Sequence, residues 1–174
     1  QDARELLLNP LWHVHNGKIP YEDSIMSFSM LLNLVETSNA TSEEILWKFV
    51  KNYKKDIVKD NFPIFDNLIK CSIKYFNDVV KQNKKYKKPN ITEKKALLDL
   101  ISNLEKCSDN MKPEDIQTEI YTVGKNNGYK ENLREWFKLI YEVVFGVENG
   151  PRLGFFISFF GRKEMISLIK EKIN

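Results

Sequence analysis

Three observations on this sequence predict an all-α fold. Apolar residues recur at spacings of three and four along almost every stretch beyond residue 23. No segment alternates strictly between apolar and polar residues with hairpin signals at its ends. Seven glycines and six prolines in 174 residues leave little material for the tight turns of a β fold. The expected architecture is a helical bundle or cage of about seven to eight helices. At 20.5 kDa it is one domain or two packed helical subdomains. On the second arrangement residues 1–83 form the first subdomain, 84–92 a Lys-rich linker and 93–174 the second subdomain.

Taken in order, Asp23 or Ser24 is the expected cap of a first helix with Ile25, Phe28, Leu31, Leu32 and Val35 inward. Met26, Met30 and Leu34 widen that face, so this helix is expected to be central. Thr41 and Glu44 have the spacing of a capping box before Ile45, Leu46, Phe49 and Val50. Pro63 suits the first turn of a long helix whose stripe is Phe65, Leu68, Ile69, Phe76, Val79 and Val80. Thr92 is the expected cap of a helix burying Leu97, Leu100, Ile101 and Leu104. Pro113, with Glu114 and Asp115 behind it, opens another that carries Ile116, Ile120 and Val123. Leu133, Trp136, Phe137, Ile140, Tyr141 and Val144 mark the clearest amphipathic helix, stopped near Gly146. Leu153–Phe160 is short and apolar, and Met165, Ile166, Ile169 and Ile173 give the last helix its stripe.

Charge is distributed unevenly. Residues 1–47 carry two basic and seven acidic side chains, residues 48–95 fourteen lysines against five acids, and the remainder is near balance. The middle of the chain is therefore electropositive, most densely at Lys81–Lys95 with its seven lysines. Such a run is either a solvated helix end and loop or a surface for phosphates. Lysine outnumbers arginine 23 to 4, so the four arginines (Arg4, Arg134, Arg152 and Arg162) mark positions where the guanidinium fork itself is wanted. A hydrophobic content of 42% and an aromatic content of 12% exclude intrinsic disorder. No apolar run approaches the roughly 20 residues that span a bilayer, so no membrane partner is expected. The start at Gln1 and the absence of a signal pattern read as a fragment or processed product. Cys71 and Cys107 are expected to be buried thiols in a cytoplasmic protein.

Catalytic patterns are missing. There is no Gly-rich phosphate loop, zinc-spaced Cys pair or nucleophile elbow, and the acid pairs sit in first helical turns where the helix dipole favours them. His13 and His15 would need a third ligand from elsewhere to hold a metal, so no metal site is assigned. The unusual segment is GVENGPRLGFFISFFG, residues 146–161. Gly150, Pro151 and Gly154 shape a tight connection that presents Arg152 at a helix start, where the dipole disfavours a cation.

Three long segments carry a family resemblance: NPLWHVHNG (9–17), SFSMLLNLVETSNA (27–40) and LIYEVVFGVENGPRLGFFISFFG (139–161). Together with IQTEIYTVGK (116–125) and LREWFK (133–138), in this order and spacing, the chain resembles the C-terminal portion of class I lysyl-tRNA synthetase. The resemblance implies a helical anticodon-binding domain following a missing N-terminal Rossmann catalytic domain. The His-Ile-Gly-His-like and Lys-Met-Ser-Lys-Ser-like signatures of that domain are not in this sequence. It also implies a parent ligase using ATP and Mg²⁺, with lysine tRNA as partner and no cofactor for the fragment. Reading a splayed anticodon needs aromatic faces, polar groups for base edges and cations for the backbone. Arg152, Arg134, Lys138 and Tyr141 are the candidates near the GPR turn, although Tyr141 also lies on the apolar stripe. Trp12, His13 and His15 belong to the first matching segment and are assigned either to RNA or to the missing domain. The competing reading is a helical protein-interaction module without RNA.

Overall fold

The structure is a computed structural model that describes residues 25–81, 84–108 and 110–174. Eight α-helices and no strand occur among the described residues. Helix α1 spans Phe28–Ser38, with the Ser27 hydroxyl accepting from the Met30 N–H at 3.2 Å. The expected caps Asp23 and Ser24 lie outside the described residues, and Ile25 is buried ahead of the helix rather than within it. Leu31 and Leu34 are fully buried, and Asn39 closes the helix in the left-handed region at φ 49°.

Helix α2, Glu43–Tyr53, follows Ser42 and lacks the expected Thr41–Glu44 capping box. Ser42 instead hydrogen-bonds the Glu44 carboxylate, which with the Glu44 backbone N–H lowers its pKa. Trp47 is buried in this helix, and its indole N–H donates to Asp66 at 2.8 Å. Helix α3, Pro63–Tyr75, starts at its proline as expected and runs into a π-helical turn at Phe76–Val80. That turn shifts the register of the stripe, so Val79 is exposed instead of inward. Cys71 is also exposed, contrary to expectation, because it sits about 200° around the helix from buried Ile69; Ser72 takes the inner face.

Helix α4 spans Ile91–Lys106 and is capped by Asn90, not Thr92. Asn90 accepts from the Glu93 N–H and Glu93 accepts from the Asn90 N–H, both at 2.9 Å, a reciprocal box. Helices α5 (Pro113–Gly124), α6 (Leu133–Val144), α7 (Leu153–Phe160) and α8 (Arg162–Ile173) begin and end close to the expected positions. Trp136 of α6 is fully buried and donates to the Ile120 carbonyl of α5 at 2.9 Å. Gly124 lies beneath its indole, where an added Cβ would come within 2.4 Å of the ring.

Packing joins these elements through one apolar cluster that runs from Ile25 to Ile173. Helix α7 lies between α5 and α2, with Phe159 and Phe160 against Tyr53 and Phe49. Helix α8 packs on α4 and α6, and α1 packs on α3. Between α3 and α4 the segment 84–90 runs extended along α6 rather than looping freely. Lys85 N–H donates to Gly146 O at 3.3 Å and Lys87 N–H to Glu142 O at 3.0 Å. Lys84 is largely buried, ion-paired to Glu36, and donates to the Phe145 carbonyl at 2.7 Å. Part of the lysine-rich run is thus structural.

Candidate nucleic-acid interface

The amphipathic α6 and the turn that follows it build the site. A hollow of about 380 Å³ lies along the outer face of α6, lined by Arg134, Phe137, Lys138, Tyr141, Glu148 and Asn149. The structure thus brings three of the predicted residues together. Arg134 is exposed and has no hydrogen bond or ion pair among the described residues. Lys138 is half-buried and shared between Glu142 at 3.7 Å and Glu148 at 3.5 Å, so its charge is already compensated. Phe137 carries Tyr121 of α5 edge-on at a centroid separation of 5.0 Å. Tyr121 is 37% exposed, so part of this aromatic pair faces solvent.

Tyr141 is buried, and its hydroxyl donates to the Pro151 carbonyl at 2.6 Å. Burial, with a smaller contribution from Tyr121, pushes its pKa up to about 12. Gly150 lies against the same ring, where a Cβ would come within 2.6 Å of it. On the other side of the turn, the Gln117 side chain of α5 accepts from the Gly154 N–H at 2.8 Å. A Cβ on Gly154 would meet the Pro113 carbonyl at 2.1 Å, so α5 and α7 touch there through backbone. Arg152 sits between these two anchors and is exposed, its guanidinium carbon 5.6 Å from the Phe155 ring centroid. It does not line the α6 hollow. Trp12, His13 and His15 lie outside the described residues.

Sequence reasoning missed Gln117 and Tyr121. A polar Gln beside the apolar Ile116 and Ile120 was the available signal for the first. Nothing in the spacing marks Tyr121, because its role depends on the crossing of α5 and α6.

Free cations cluster away from this turn as well. Lys48, Lys51, Lys54 and Lys55 are exposed at the C-terminal half of α2 and just after it, with no ion pair among the described residues. Lys59 and Lys70 differ, being held by Glu43 and Asp66. A second hollow, of about 400 Å³, lies between α1 and α8 and contains the Glu36–Lys84 pair. Tyr86 hydrogen-bonds Glu36 and lies under Lys172, 4.0 Å from its ring centroid; burial and the Glu36 carboxylate raise the tyrosine pKa. Among the described residues no three His, Cys, Asp or Glu side chains gather to hold a metal. No helix of these residues is long and apolar enough to cross a membrane.

Exposed arginine, unpaired lysines and a half-open aromatic pair thus lie on one helical body. Comparison with known proteins identifies relatives. The chain is similar to lysine–tRNA ligases of Rickettsia bellii (36% identity), Rickettsia felis (35%) and Rickettsia massiliae (34%), each over 99% of its length. It spans about a third of the length of these relatives. No family model matches the chain, and no solved structure matches it. Along nearly its whole length the chain is thus related to one third of these lysine–tRNA ligases.

Proposed function

We propose that this chain is the C-terminal anticodon-binding domain of a class I lysyl-tRNA synthetase. The observation that carries the reading is the exposed Arg152 on a turn anchored from both sides, in a chain related throughout to one third of lysine–tRNA ligases. A planar fork carried on an anchored turn and lying over the Phe155 ring suits an unstacked base, and the unpaired lysines of α2 suit the phosphates. The parent enzyme attaches lysine to its tRNA in the cytoplasm, and ATP and Mg²⁺ belong to its remainder. Two assays test the reading. The purified chain is expected to shift lysine tRNA in a gel at low salt while supporting no lysine-dependent ATP–pyrophosphate exchange. Absence of any shift at low salt contradicts it and favours a protein-interaction module.

A further inference from the structure

Helix α7 begins in an unusual way. Its N-cap position is Arg152, whose side chain makes no capping hydrogen bond. Arginine cannot cap, because it has donors only, whereas the first-turn N–H groups need an acceptor. Ser, Thr, Asp or Asn normally fill this position and accept from an N–H two or three residues on. Here the acceptor comes from another helix: Gln117 of α5 is 4% exposed and takes the Gly154 N–H at 2.8 Å. The glycine permits that approach, since a Cβ there would collide with Pro113.

We infer that Gln117 is a positioning residue that caps α7 from outside and so frees its N-cap position to present Arg152 to a base of the bound RNA. This deepens the anticodon-binding reading and rests on it. Tyr141 completes the mount from the opposite side through Pro151, so the peptide groups flanking Arg152 are fixed before RNA arrives. Preorganisation of this kind lowers the ordering cost of binding, and its loss falls on base preference rather than on phosphate contacts.

The test uses the whole chain, lysine tRNA and a tRNA with an exchanged anticodon. Gln117→Met keeps the volume and removes the acceptor; Gln117→Glu keeps an acceptor. Gln117→Met should speed hydrogen exchange of the Gly154 amide at least tenfold. It should lower the preference for the cognate anticodon about as much as Arg152→Ala, and the two changes together should lose little more than either alone. Gln117→Glu should retain both protection and preference. A third variant guards against simple unfolding. Arg152→Asp on the Gln117→Met background supplies a cap within α7 and should restore Gly154 protection and melting temperature while leaving preference lost. Unchanged Gly154 exchange in Gln117→Met overturns the capping role. Faster exchange with intact preference, where Arg152→Ala does lose preference, overturns the positioning role and leaves the anticodon reading standing. Preference unaffected by Arg152→Ala overturns the anticodon role of this turn and the inference with it.

Discussion

Asp66 shows how a single carboxylate ties two helices. It accepts from the Trp47 indole at 2.8 Å and pairs with Lys70 at 2.9 Å and Lys59 at 3.1 Å, its side chain only 14% exposed. Burial alone would raise its pKa, but the hydrogen bonds from Lys70, Trp47 and Lys59 outweigh burial and lower it to about 2. A depressed folded-state pKa contributes stability above the unfolded value near 3.8, and that stability is lost as pH falls toward 2. The difference corresponds to about 2 kcal/mol. Urea unfolding of the wild type and of Asp66→Ala between pH 2 and 6 checks it. The gap between the two proteins should narrow below pH 4; a gap independent of pH contradicts this assignment. Arg152 is expected to behave differently. Its contacts are with solvent and the Phe155 ring, so Arg152→Lys should leave the melting temperature unchanged. The cognate anticodon should lose about 1–3 kcal/mol of preference, read by competition binding, because the ammonium lacks the planar fork. A lowered melting temperature with intact preference would instead make the arginine a structural pin.

At the scale of elements, α5 and α6 are locked by Trp136, which fills the space over Gly124 and satisfies its N–H on Ile120. Trp136→Ala should cost about 3–5 kcal/mol in a denaturant titration, the range for removing a buried aromatic side chain. A loss under about 1 kcal/mol would mean that the site is not packed as described. These helices were legible in the sequence because their stripes are regular: Ile116, Ile120 and Val123 on α5, and Trp136, Ile140 and Val144 on α6, are all buried. The starts of α1, α2 and α4 were not. Ser27, Ser42 and Asn90 compete with other capping types close by in the chain, and tertiary packing chooses among them. The π-helical turn after Tyr75 was equally hidden, since its sequence keeps an α-like apolar spacing while the backbone shifts register. Of the candidate site, Arg134, Lys138 and Tyr141 share the helical spacing that brings them to one hollow. Gln117 and Tyr121 reach the site only through the α5–α6 and α5–α7 crossings, which no local pattern encodes.

Across the whole molecule, the turn proposed to read a base and the lysines proposed to hold phosphates are spatially separate. The Arg152 turn lies at the start of α7, while Tyr53 beside the α2 lysines packs on Phe159 at its end. About seven residues of helix, roughly 10 Å, lie between them, a span that fits one continuous nucleic-acid strand. Neutralising Lys48, Lys51 and Lys55 to Gln should therefore weaken all tRNAs about equally. The slope of log affinity against log salt should fall by roughly 0.7–0.9 for each lysine–phosphate pair removed, measured by fluorescence anisotropy over a salt series. An unchanged slope would remove α2 from the interface. Above all, this helical domain is expected to distinguish the lysine anticodon by itself. The most direct test is the affinity of the chain for two stem-loops that differ only in the anticodon, at one fixed salt concentration. The lysine stem-loop should bind on the order of tenfold more tightly or better, and equal affinity for the two would contradict anticodon recognition by this domain.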